Sequence, residues 1–159
     1  MTATQSKDQV AELSTPVKLR DAVLGAWELA SYAIEDNPGN VTTYPLGRHP
    51  VGLIMYTEDG YMSAQLMRQD RSAVDLPEPA AESPFATGYL AYSGPFRVDE
   101  ATGTLHHQVT VSLFPDWLGS TQLRCSRLEG DILTLSGTNT FPNGATSTHT
   151  LLWKRAPRR

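Results

Sequence analysis

The chain has 159 residues, 40% hydrophobic and 19% charged, with a formal net charge of −4. That is one domain's worth of residues, with enough apolar material for a core and too little charge for a disordered chain. The acidic balance argues against a general nucleic-acid or anionic-membrane binder, and no apolar run reaches the length needed to cross a bilayer. The single cysteine, Cys125, excludes an internal disulfide and any zinc site built on several thiolates.

Residues 1–14 read as a flexible N-terminal tail, polar and mixed in charge, without the apolar segment or cleavage pattern of a secretory signal. They predict a cytoplasmic protein whose single folded domain covers 15–159. Thr15-Pro16 followed by Val17, Leu19, Val23 and Leu24 predicts a short helix, with Thr15 capping and Pro16 at the first helical position. After Gly25 the texture alternates: Trp27, Leu29, Ser31 and Ala33 on one side, Ala26, Glu28, Ala30 and Tyr32 on the other, up to a turn at Asp36-Asn37-Pro38-Gly39-Asn40. A short strand is expected at 41–44. Strands at 51–57 and 61–68 flank Glu58-Asp59-Gly60, whose Asp-Gly is a strong hairpin signal.

Further strands are predicted at 89–98 and 104–113 around the 99–103 turn, at 121–128 and 132–137 around Glu129-Gly130-Asp131, and at 145–154 after Pro142-Asn143-Gly144. About eight or nine strands joined mostly by short turns have the cadence of an antiparallel sandwich or an up-and-down barrel. The exception is the connector 69–87, with Pro77, Pro79 and Pro84. It is too long for a hairpin turn, has room for a short helix at 79–83, and reads either as a functional lid or as a solvated connector.

Strand parity then sorts side chains between faces. In 104–113, Leu105, His107, Val109, Val111 and Leu113 share the apolar face, so His107 points inward and His106 to solvent. In the last strand His149, Leu151, Trp153 and Arg155 take the inner side. Strand 121–128 is ambiguous: Leu123 and Cys125 suggest one inner face, whereas a polar-lined cavity would turn Gln122 and Arg124 inward. Val51, Leu53 and Met55 form one candidate inner set, with Gly52, Ile54 and Tyr56 nearly as apolar, and the pattern leaves Gln65 unassigned.

The stretches Leu24-Gly25-Ala26-Trp27-Glu28-Leu29, Tyr44-Pro45-Leu46-Gly47, Val51-Gly52-Leu53-Ile54-Met55-Tyr56 and Asp59-Gly60-Tyr61-Met62-Ser63-Ala64-Gln65 carry a family resemblance. It continues through Ala91-Tyr92-Ser93-Gly94, His106-His107, Phe114-Pro115-Asp116-Trp117-Leu118-Gly119 and Thr121-Gln122-Leu123-Arg124. The chain resembles the bacterial and fungal lipocalin-like domain family, from about Leu24 to Arg155. The resemblance implies an all-β, antiparallel up-and-down lipocalin-like β-barrel with a short N-terminal helix, built around a cavity for a small hydrophobic or amphipathic molecule. Relatives of this kind are often encoded near natural-product pathways, where some lipocalin-like barrels act as cyclases or isomerases. It also implies that Trp27 closes one barrel end under a late-strand basic residue, either Arg155 or Arg124.

The candidate catalytic residues are His107, Tyr92 and Arg124. An inward histidine in an apolar wall must find a hydrogen-bond partner and stays neutral, which suits a general base or a ligand-binding group. A tyrosine supplies an aromatic body with a proton-donating tip. Arg124, if inward, needs a carboxylate or an anionic ligand. The candidate ligand-binding residues are Trp27, Met55, Tyr61, Gln65, His149 and Trp153. An adjacent His-His pair on a strand points to opposite faces and cannot chelate one metal, so no metal site is expected. No glycine loop for phosphate and no nucleophile elbow is present, and no cofactor is called for. The functional expectation is a barrel binding a small metabolite as a monomer or homodimer, with no nucleic acid or membrane partner. It either catalyses cyclisation, isomerisation or elimination by holding a reactive conformation, or acts as a non-catalytic carrier or an interaction subunit.

Overall fold

A strand with one apolar face must bury that face, and a sheet of such strands does so by closing on itself. In the computed structural model, which describes residues 16–71 and 88–159, ten strands do this. They are β1 (Gly25–Asn37), β2 (Val41–Thr43), β3 (Val51–Tyr56), β4 (Tyr61–Met67), β5 (Tyr89–Asp99), β6 (Thr104–Gln108), β7 (Val111–Ser112), β8 (Thr121–Glu129), β9 (Ile132–Thr140) and β10 (Thr146–Arg155). A one-turn helix, α1 (Leu19–Val23), precedes them. The hydrogen-bonded order is β10-β9-β8-β6-β5-β4-β3-β1, and β1 pairs back onto β10. The result is a closed, antiparallel, eight-stranded barrel, with β2 added beside β1 and β7 beside β5. The predicted tail at 1–14, the capping Thr15 and the connector from 72 to 87, where a short helix is expected at 79–83, lie outside the described residues.

The expected strand at 104–113 is interrupted. β6 stops at Gln108, Val109 is fully buried, and Val111 and Leu113 turn outward and are exposed. The backbone irregularity is accommodated on β5 by Gly94, where a Cβ would fall on the Gln108 carbonyl oxygen. β1 also breaks strict alternation. A bulge between Leu29 and Ser31 shifts its register against β10, so that Trp27 and Leu29 are followed on the buried side by Tyr32 rather than by Ser31 and Ala33.

One barrel end is plugged. Trp27 is fully buried and its Nε1 donates to the Val23 carbonyl at 2.8 Å. The Arg155 guanidinium lies over the Trp27 ring, 4.1 Å from its centroid. It also donates to the Leu24 and Ala22 carbonyls at 3.2 and 3.0 Å and to Asp131 at 3.1 Å. Of the two basic residues considered for this role, Arg155 takes it. The start of α1 is capped from a distance: the Glu100 carboxylate accepts from the Leu19 and Arg20 N–H groups at 2.8 and 3.0 Å. The helix therefore begins at Leu19 rather than at Pro16, because its orphan donors find a carboxylate in the β5–β6 turn.

Candidate functional site

At the end opposite Trp27 the barrel holds a cavity of about 570 Å³. Its walls come from Tyr32 of β1, Leu90 and Tyr92 of β5, Gln122 and Arg124 of β8, Gly137 and Asn139 of β9, and His149 and Leu151 of β10, with Trp117 at the mouth. Trp117 is held there by edge contacts with Tyr92 and Phe114, both at 5.6 Å between ring centroids.

Below the cavity floor lies His107, 0% exposed and set between the rings of Tyr56 and Tyr92. Tyr56 from β3 meets its Nε2 at 2.9 Å, and Tyr92 meets its Nδ1 at 2.9 Å. Burial, then the positive charge of Arg124, push the imidazole pKa down to about 3. A neutral imidazole has one donor and one acceptor nitrogen, so one tyrosine donates to it and the other accepts from it. Burial raises the Tyr56 and Tyr92 pKa values, with Arg124 acting against that rise on both, so both remain protonated at neutral pH.

A second pair lies nearer the mouth. The Tyr32 hydroxyl meets His149 Nδ1 at 2.7 Å, and Asn139 Nδ2 lies 3.4 Å from Nε2. Burial raises the Tyr32 pKa and lowers that of His149, and Arg124 pushes both downward. Arg124 itself crosses the bare backbone of Gly137, where a Cβ would stand 3.1 Å from its Nη1. It donates to the Leu123 carbonyl at 2.9 Å and to Gln122 Oε1 at 3.3 Å.

The predicted site residues fall into three groups. His107, Tyr92, Arg124 and His149 converge on the cavity or its floor. Trp27 and Trp153 point inward but into packed core, Trp27 as the plug of the closed end. Met55, Tyr61 and Gln65, expected among the ligand-binding residues, stand on the outer face away from the cavity, which corrects that expectation. Ile54 and Tyr56 are the buried members of β3, and Met62, Ala64 and Leu66 those of β4. Met55 and Tyr61 are therefore exposed, and Gln65 Nε2 donates to its outer-face neighbour Ser63 at 2.7 Å. The open choice in strand 121–128 resolves in favour of a polar-lined interior: Gln122 and Arg124 face in, Leu123 and Cys125 face out. Tyr32 was missed because only the bulge in β1 turns it inward.

The architecture is a closed antiparallel barrel with one end plugged and a cavity at the other. The lipocalin-like domain family matches the chain over residues 24–156, and the chain belongs to that family. Among curated proteins it is similar to the 4'-hydroxy-3'-methoxypropiophenone carrier protein ppsC of Aspergillus oryzae (strain ATCC 42149 / RIB 40). The two are 38% identical over 77 residues, covering 44% of this chain and 69% of that protein. Among solved structures it is similar to insecticyanin from the tobacco hornworm Manduca sexta, with a TM-score of 0.48 and 9% identity. That match covers 86% of this chain, which spans 62% of the insecticyanin chain.

Proposed function

We propose that the protein binds a small hydrophobic or amphipathic metabolite in the open half of its barrel and carries it without changing it. The observation that supports this most directly is the cavity of about 570 Å³, which lies within the range of small-molecule sites. Its lining mixes apolar side chains with a comparable share of polar ones, and the opposite end of the barrel is plugged by Trp27. The similarity to a carrier of a propiophenone supports a cargo from secondary metabolism. The chemistry of His107 supports carriage over general-base catalysis: with its pKa at about 3, protonating it at neutral pH costs about 5 kcal/mol.

A second reading, a cofactor-independent cyclase, isomerase or lyase, draws support from the same cluster. In it the Tyr92 hydroxyl, backed by His107 and Tyr56, hydrogen-bonds a substrate oxygen and stabilises charge that develops there. Native mass spectrometry of the protein incubated with extract of its producing cells separates the two. Carriage expects a captured metabolite that leaves unchanged. Release at altered mass, or at the same mass with a new retention time, establishes the catalytic reading. Absence of capture overturns both.

A further inference from the structure

Arg124 brings a full positive charge into the cavity wall, and the described residues give it no anion. The groups it hydrogen-bonds, the Leu123 carbonyl, Gln122 Oε1 and the Tyr92 hydroxyl, are all neutral. The other arginines that form ion pairs, Arg20, Arg68, Arg127 and Arg155, find aspartate or glutamate within 4.0 Å, whereas no such pair involves Arg124 among the described residues. Among the described residues, no aspartate or glutamate lines the cavity there. Tyr32, Tyr56, Tyr92, His107 and His149, at the cavity or its floor, all feel its charge. A guanidinium offers five N–H donors in a planar fork, so donors remain beyond the three hydrogen bonds that Arg124 makes among the described residues. Gly137 provides the flat seat that holds the fork in place.

We propose that the ligand is an organic anion, an apolar body carrying one acidic oxygen group ionised at neutral pH, such as a carboxylate, and that this group pairs with Arg124. The inference rests on the binding reading above and specifies its ligand class. The apolar body lies against Leu90, Leu151 and Trp117, while the acidic group meets the guanidinium beside the Tyr92 hydroxyl. A charged, hydrogen-bonded pair in such a setting is the kind of contact that sets ligand orientation and selectivity.

The test is displacement of the uncharged fluorophore phenylnaphthylamine from the purified protein by naphthoate and by methyl naphthoate, its neutral and more apolar ester, at neutral pH. With wild type, naphthoate should displace the fluorophore at a concentration about tenfold lower than the ester. In Arg124→Gln the order should reverse. Arg124→Lys, which keeps the charge, should keep the preference for the anion. A wild type that takes the ester as well as the acid, or an Arg124→Gln protein that still prefers the acid, overturns the proposal and leaves the binding reading standing. A wild type that binds neither fluorophore nor competitors overturns both. The wild-type comparison alone decides the matter if Arg124→Gln fails to fold.

Discussion

His107 sits between two phenol hydroxyls with no exposure to solvent, and its protonation is coupled to folding. The imidazole takes up a proton near pH 6.5 in the unfolded chain but only near 3 in the folded one. Between those values the unfolded state holds more protons. The stability that the neutral histidine contributes is therefore complete above 6.5 and drains away as pH falls toward 3. Urea titrations of wild type and His107→Gln should show this as a difference. The wild-type advantage should shrink by about 3 kcal/mol between pH 6.5 and pH 4. His149, whose pKa is also lowered by burial, adds a slope in the same direction to both proteins and cancels in the comparison.

At the scale of elements, the plugged end joins α1, the start of β1 and the end of β10 through two side chains. Trp27 fills the barrel and Arg155 ties the outside of that plug to the carbonyls of Ala22 and Leu24. Trp27→Ala should lower the unfolding free energy by about 3–5 kcal/mol, as deletion of a large buried aromatic does. Arg155→Ala should cost about 1–2 kcal/mol, for a stacked cation and its partly solvated hydrogen bonds. Chemical denaturation of the two variants checks the order. The inverse ranking would mean that the guanidinium rather than the indole holds this end together.

The same elements show what the sequence makes legible. Strand positions were readable because short turns, such as Asp59-Gly60 with Gly60 at φ 95, punctuate the chain locally. The inward aim of His107 was readable because its parity neighbours Leu105 and Val109 are aliphatic and fully buried. The phase of β8 was not readable. A polar-lined cavity inverts the usual rule, so Gln122 and Arg124 turn in while Leu123 is 53% exposed. Likewise Met55 and Ile54 are equally apolar, and nothing local tells which meets the core. Tyr32 and the helix start were hidden for a different reason: a bulge and a carboxylate some eighty positions away decide them.

At the scale of the whole molecule, two ends of one barrel have different tasks. The end around Trp27 is packed and tied down, while the other keeps its interior polar and open at the mouth. The wall between them closes only where β1 meets β10, a seam that runs from Trp27 opposite Arg155 to Asn37 opposite Thr146. These are the strands most remote from each other along the barrel path, so the seam carries the largest loop-closure entropy of any pairing in the fold. Until it forms, the sheet has two bare edges whose registers match each other, in the same copy or in a neighbouring one. Refolding from denaturant is thus a competition between closing a ring and joining a chain of rings. The yield of monomeric barrel should fall as protein concentration rises, with strand-exchanged dimers taking its place on size-exclusion chromatography. A yield independent of concentration would mean that the ring shuts before neighbours can meet.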